Sequence, residues 1–538
     1  MLFRRHIFVV SLVLMLASGS GWAADIPQLR KAGAAQQLVV DGAPFVMLAG
    51  ELHNSSSSSL AYLKPVWPRL QALNLNTVIA SLSWELVEPE EGRFDFTLVD
   101  GLLKAAREHE LQLVFIWFAT WKNGDGAYAP GWVKTNVTRF SRCHHRPGEN
   151  TTQLSAFAEA NVQADAQAFA AVMKHLREVD GKKHTVVMMQ VENEPGVMPV
   201  SRDHSPRAEA AFAGQVPAEL MSYLAAHKDA LIPDLKAVWA RTNCRESGTW
   251  SEVFGNDALA DEVFQAWHIA RYIGRVAAAG KAEYPLPMYA NAWLVQSPGQ
   301  TPGKYPSGGP VARMMDVWRA AAPALDLLAP DIYLEDFKGI CAEYTQNGNP
   351  LFIPEARADE RAGARAFYAL GQHHALGFSP FGIDALSATN ALREYYAVLN
   401  NVLPLIARHQ GRDTLRGFLQ AKGETRAEFD IGDFRADIEY RGDGSDKPGA
   451  GLIIALAPDT FVIAGANASL RFAARRDLPG HTAWLSLEEG TFRDGTWLPD
   501  RRLNGDEASY RVNLGPTPRL LRGRVYRFPV RESAAGTQ

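Results

Sequence analysis

Thr185-Val186-Val187-Met188-Met189-Gln190-Val191-Glu192-Asn193-Glu194-Pro195-Gly196 passes from an almost unbroken apolar run into two glutamates and a proline. An apolar run without alternation is the mark of a strand covered on both faces, as in a parallel sheet wrapped by helices. Pro195 has no N–H to give, so the ladder ends there and Glu194 stands at the strand's C-terminal end. Side chains alternate along a strand, so Glu192 and Glu194 should face one way and Asn193 the other, unless the strand bends. Working outward, short apolar runs of the same kind recur: Phe45-Gly50, Asn76-Leu82, Leu111-Phe118, Thr185-Val191, Pro287-Trp293, Leu325-Ile332, Pro350-Pro354 and Gly377-Ile383. Amphipathic, helix-like stretches lie between them, among them Ala61-Leu73, Thr97-Glu108, Leu154-Val179, Ala258-Ala279, Val311-Ala322 and Arg361-Leu376. Eight βα units predict an α/β fold, a (β/α)8 TIM barrel. The alternative, a doubly wound open sheet, lacks a Gly-x-Gly-x-x-Gly turn after its first strand.

A further helix over about Ala391 to His409 closes the barrel, and after Gly411 the pattern changes to short strands separated by turns such as Arg441-Gly442-Asp443-Gly444-Ser445. The expected organisation is a signal peptide over 1–23, a (β/α)8 barrel over 24–410 and an all-β, sandwich-like domain over 411–538. The expected leader has Arg4 and Arg5, an apolar stretch Ile7 to Leu16 and a small-residue cleavage site before Ala24. That stretch falls short of the roughly 20 residues that span a bilayer, so an exported chain, periplasmic or secreted and free of a membrane anchor, is predicted.

The 538 residues carry 55 basic and 59 acidic side chains, a formal charge of −4. Without clustered Lys and Arg there is no electrostatic footprint for nucleic acid. Three cysteines, Cys143, Cys244 and Cys341, are too few for a disulfide framework. Adjacent Cys143, His144 and His145, or His373 and His374, are not spaced to converge on one ion. Neither a Walker loop nor a Gly-x-Ser-x-Gly elbow is present, so no metal and no cofactor are expected.

In a (β/α)8 barrel the chemistry sits at the C-terminal strand ends. Glu194 ends the fourth strand, and Leu351-Phe352-Ile353-Pro354-Glu355 puts a second carboxyl group at the end of the seventh. Two carboxyl groups facing each other across the mouth suit retaining glycoside hydrolysis, one acting as proton donor and the other as nucleophile. A lone strand-end glutamate is, on spacing alone, more often a solvated or paired loop residue.

The Asn-Glu-Pro of the fourth strand and the Glu of the seventh resemble the clan A retaining (β/α)8 glycoside hydrolases. Within that clan Leu38-Val39-Val40-Asp41-Gly42-Ala43-Pro44-Phe45 with Ala49-Gly50-Glu51-Leu52-His53, Asn74 to Phe96, and Gln190 to Gly196 resemble family 35 β-galactosidases. The resemblance implies Glu194 as acid/base, Asn193 as donor to the sugar 2-hydroxyl and Glu355 as nucleophile. It implies release of terminal β-linked galactose from oligosaccharides or plant polysaccharide side chains. Two departures stand out. Pro195 replaces an aromatic, and Ala119-Thr120-Trp121-Lys122-Asn123-Gly124 lacks the family's sugar-binding carboxylate, leaving Lys122 or Asn123 to supply that contact.

Sugar pockets combine aromatic platforms with directed polar groups. The strand ends offer Glu51, His53, Trp84, Glu85, Trp117, Trp121, Asn291, Trp293, Asp331, Tyr333 and Asp384, with Tyr333 placed to bond the nucleophile. Two other readings remain open: another clan A β-glycosidase that prefers glucosyl or glucosaminyl units, and a non-catalytic carbohydrate-binding protein.

Overall fold

The computed structural model describes residues 26–530 apart from 125, 127 and 479. The expected leader lies outside the described residues. Among those residues no helix is long and apolar enough to cross a membrane.

Eight parallel strands close into a barrel: Met47–Glu51, Thr77–Ser83, Gln112–Lys122, Val186–Asn193, Met288–Trp293, Leu327–Ile332, Ile353–Ala356 and Gly377–Pro380. They match the eight apolar runs of the sequence, so the (β/α)8 fold class holds. Inside the barrel, alternate residues stack into a packed interior. Met47 and Ala49 of the first strand, Val114 and Ile116 of the third, Tyr289 of the fifth, and Leu327 and Ala329 of the sixth form one apolar cluster. The next inward position on the first, fifth and sixth strands is polar: Glu51, Asn291 and Asp331. The strand period of two thus carries these three from a greasy floor to the mouth.

The floor is closed by an antiparallel sheet, Gln28–Ala32, Ala35–Val40 and Ala43–Phe45, that the sequence reading does not contain. Its Leu38 and Val40 join the interior cluster. Phe45, read as the start of the first barrel strand, belongs to this sheet instead. The predicted helix Ala61-Leu73 is two short ones, Leu60–Leu63 and Trp67–Ala72, since Pro65 cannot donate within a continuous helix. Leu154 is the last residue of a hairpin strand, and the long helix begins at Glu159. Between the fourth and fifth strands, short helices from Pro206 to Phe254 form an insertion ahead of the helix Ala258–Glu283.

The helix Leu392–His409 leads to two antiparallel sheets, of six and four strands, packed over a core that includes Phe434, Phe461 and Ile463. The first strand here is Leu415–Leu419, and Thr496–Arg502 is followed by a turn with a short 3-10 helix, Gly505–Glu507, before the brief strand Val512–Asn513. The sandwich is fused to the barrel through helix Ala362–Gln372. A Cβ on Gly371 would stand 2.9 Å from the Cα of Gly417, so bare backbone lets helix and strand meet. All three cysteines are free thiols.

Candidate active site

The end of the fourth strand departs from the alternation rule. Glu192 and Glu194 both have positive φ, 64° and 43°, a region that non-glycine residues rarely occupy and that recurs at functional sites. The two left-handed residues rotate the chain. Glu192 is sent outward while Asn193 and Glu194 both reach the mouth, which corrects the expectation that Glu192 and Glu194 share a face. The partner strand makes room by bulging: Trp117 lies opposite Val191, but Lys122 lies opposite Asn193. The Glu192 carboxyl fills that bulge and accepts the Trp121 N–H at 2.7 Å.

Behind the bulge is Asp165, on helix Glu159–Asp180. It accepts from the Trp117 indole at 2.8 Å, the Thr120 hydroxyl at 2.7 Å and the Tyr272 hydroxyl at 3.0 Å. Asp165 and Glu192 are both fully buried. Burial raises the pKa of each, and the Asp165 charge raises that of Glu192 further. Two buried carboxyl groups in contact cannot both ionise, so the proton stays on Glu192.

In the mouth itself, one oxygen from each of Glu194, Asp331 and Glu355 lies within 4.8 Å of the others, and all three residues are buried. Among the described residues this is the group spaced to ligate a cation. Asn291 ties the three together. Its Oδ1 accepts the Glu194 backbone N–H at 2.9 Å, and its amide nitrogen reaches Asp331 at 2.8 Å, Asn193 at 3.1 Å and Glu355 at 3.5 Å. The Tyr333 hydroxyl donates to Glu355 Oε2 at 2.8 Å. Asn193 also bonds Gln190 and Asn123.

The electrostatics separate the two glutamates. Burial and then the Glu355 charge push Glu194 up to about 8. Burial also raises Glu355, but the Lys122 ammonium and the Tyr333 hydrogen bond draw it back. The order of ionisation is therefore Glu355 first and Glu194 last. Asp331 and Glu51 are pushed well above the usual carboxyl range by burial and by the neighbouring carboxylates. Both Glu51 oxygens are buried without a hydrogen-bond partner among the described residues. Lys122, whose ammonium lies 5.4 Å from the Phe118 ring centre, is the cation whose field reaches Glu51, Glu194 and Glu355.

Other sequence candidates fall elsewhere. Trp84 is wholly buried in the layer between barrel and helices, its indole N–H on Glu88 and its ring edge-on to Trp132. It begins a helical turn at the strand end, so its ring turns outward and it is no pocket residue. Trp117 likewise points outward to Asp165 and Phe169. His53 stands at the rim, its ring nitrogen bonded to Asp384 at 2.9 Å. Glu85 is on the surface, paired with Lys134. Trp121 is buried edge-on to Tyr272. Trp293 is partly buried, two residues beyond Asn291 on the same strand face. The residues the sequence reading missed are Asp165 and Gln190. The first lies mid-helix and the second reads as strand interior, so only the hydrophilicity of Gln190 within an apolar run gave a signal.

Comparison with known proteins places kinship in two segments. Residues 66–255 match the family model described as β-galactosidase of glycoside hydrolase family 42. Residues 392–515 match a domain of unknown function. A curated β-galactosidase of Xanthomonas manihotis is 29% identical over 195 residues, 35% of this chain; the chain covers only 30% of that relative's length. A cold-adapted β-galactosidase from Rahnella sp. R3 aligns with 67% of the chain and 57% of its own length at 16% identity and TM-score 0.44. The catalytic domain of a β-amylase from Paenibacillus polymyxa aligns with 66% of the chain and 97% of its own at 13% identity and TM-score 0.45. The family matched, over about a third of the chain, is 42 and not the family 35 that the sequence motifs resemble. The matched segment contains Asn193 and Glu194 and ends before Glu355.

Proposed function

We propose that the chain is a retaining exo-β-galactosidase that releases terminal β-linked galactose by double displacement. The observation that carries this reading is the approach of Glu194 and Glu355 to within 4.8 Å, with environments that ionise them in a fixed order. Retaining enzymes hold their two carboxyl groups roughly 5–5.5 Å apart. The β-galactosidase description of the matched family and the name of the Xanthomonas relative support galactose as the sugar. The finer placement in family 35 rests on the opening-strand, second-strand and Gln190 to Gly196 motifs.

In this mechanism Glu355 attacks the anomeric carbon, held in place by the Tyr333 hydroxyl and kept ionised by Lys122. Glu194, protonated at neutral pH, gives its proton to the departing glycosidic oxygen and then takes one from the water that hydrolyses the glycosyl-enzyme. Asn193 supplies the contact to the 2-hydroxyl. Glu51 and Asp331, held largely protonated by burial, donate to the other sugar hydroxyls together with Lys122 and Asn123. Export through a cleaved leader belongs to the same reading, since a polysaccharide substrate lies outside the cell.

The test is Glu355→Ala assayed on an aryl β-galactoside with and without azide. Loss of turnover, with azide restoring it and giving the α-galactosyl azide, is expected. Near-normal activity in the variant, or a wild-type preference for aryl β-glucosides, overturns the proposal.

A further inference from the structure

We propose that the C-terminal sandwich carries its own binding cleft for neutral oligosaccharide, remote from the barrel mouth and independent of the reaction assigned there. Strands Ala468–Ala474 and His481–Arg493, together with the turn around Asn504 to Tyr510, enclose a cavity of about 610 Å³. That size lies within the range of small-ligand pockets, roughly 300–1,000 Å³.

The cleft is built around the half-buried ring of Trp484 and the exposed ring of Tyr510. Strand His481–Arg493 bulges between Trp484 and Ser486 against its partner, the local device by which a strand re-aims a side chain. The Trp484 ring lies across Gly523, where a Cβ would stand only 2.3 Å from it, and edge-on to Phe472 at 5.5 Å. Glycine at 523 is what lets the indole lie there. Tyr510 is 84% exposed, an unusual state for a large aromatic side chain, and its hydroxyl has no partner among the described residues. Rings with one open face are the surfaces on which sugar C–H groups pack.

The polar groups suit hydroxyls and not a charged ligand. Arg471 is the one permanently charged side chain lining the cleft, and it is paired at 2.9 Å with Asp437, which also accepts from Arg511. Asn504 uses its oxygen on the Gly505 N–H, which leaves its amide nitrogen free to donate. A nucleotide, a uronic acid chain or an acidic peptide would find here only an arginine already paired with a carboxylate and the imidazole of His481. A neutral sugar needs no counter-charge.

The experiment is native electrophoresis of the full chain through gels containing a soluble neutral galactan, a galactomannan or polygalacturonate, with melting temperature as the control for folding. Retardation by a neutral polysaccharide and not by polygalacturonate is expected, retained in Glu355→Gln and weakened at least tenfold in Trp484→Ala and Tyr510→Ala. Tyr510 is exposed, so its variant decides the matter even where Trp484→Ala fails to fold. Equal retardation of Tyr510→Ala and wild type, a preference for polygalacturonate, absence of retardation by both neutral polysaccharides, or loss of retardation in Glu355→Gln each overturns the proposal. The readout needs no turnover, so it stands or falls apart from the reaction assigned to the barrel.

Discussion

The Tyr333 hydroxyl donates to Glu355 Oε2 at 2.8 Å, and the two residues come from the ends of neighbouring barrel strands, the sixth and the seventh. A hydrogen bond to a carboxylate favours its charged form, so this contact both aims Glu355 and lowers its proton affinity. Tyr333→Phe should reduce kcat by about 10- to 100-fold, in line with losing one charge-assisted hydrogen bond worth roughly 1.5–3 kcal/mol. Steady-state kinetics on an aryl β-galactoside check this, and the acidic limb of the pH profile should move to higher pH.

Lys122 lowers Glu355 and Glu194 together. Lys122→Met should therefore shift both limbs of the pH–kcat/KM profile upward. A profile displaced in neither limb would show that the ammonium does not reach the pair.

Glu194 raised to about 8 fixes the alkaline limb, since the proton donor is lost as pH rises through that value. The same shift is a stability statement. The folded chain holds this proton more tightly than the unfolded chain, so stability is fullest below the ordinary carboxyl pKa and declines as pH climbs to about 8. Glu194→Gln should abolish activity and melt higher than wild type at pH 8, with the difference closing near pH 4, as calorimetry across pH would read.

Removing Asp165 takes the acceptor from buried donors on Trp117, Thr120 and Tyr272, of which the two hydroxyls can still bond each other at 2.9 Å. Asp165→Ala should cost several kcal/mol, at about 1–3 kcal/mol for each orphaned group. Denaturant unfolding measures the loss. Glu192→Gln, which keeps an oxygen for the Trp121 N–H, should cost far less.

Glu51 has both carboxyl oxygens buried and without a partner among the described residues, and in the proposed mechanism a sugar hydroxyl is that partner. Glu51→Gln, still able to donate, should hold KM within a few-fold, while Glu51→Ala raises it about tenfold or more.

The barrel was legible because its strands are covered on both faces and so read as apolar runs; the eight predicted segments each overlap an observed strand. Glu194 and Glu355 were legible for a related reason, as each carboxyl group ends such a run. The N-terminal floor sheet was not, because its short strands carry no pattern until Leu38 and Val40 find the barrel interior.

What the chain alone determined is thus a period: apolar inside, helices between, and a carboxyl group where two of the ladders stop. Which way each side chain points was decided by tertiary structure. Positive φ at Glu192 and Glu194 and the bulge opposite them override the strand alternation, turning Asn193 inward and Glu192 toward Asp165. The helical turn at Trp84 takes its indole out of the mouth, while Asn291, one amide in an unremarkable strand, becomes the hub joining Glu194, Asp331 and Glu355. Local sequence sets the repeat of a strand, but its end is bent by contacts with residues far along the chain, and those exist only once the barrel has closed.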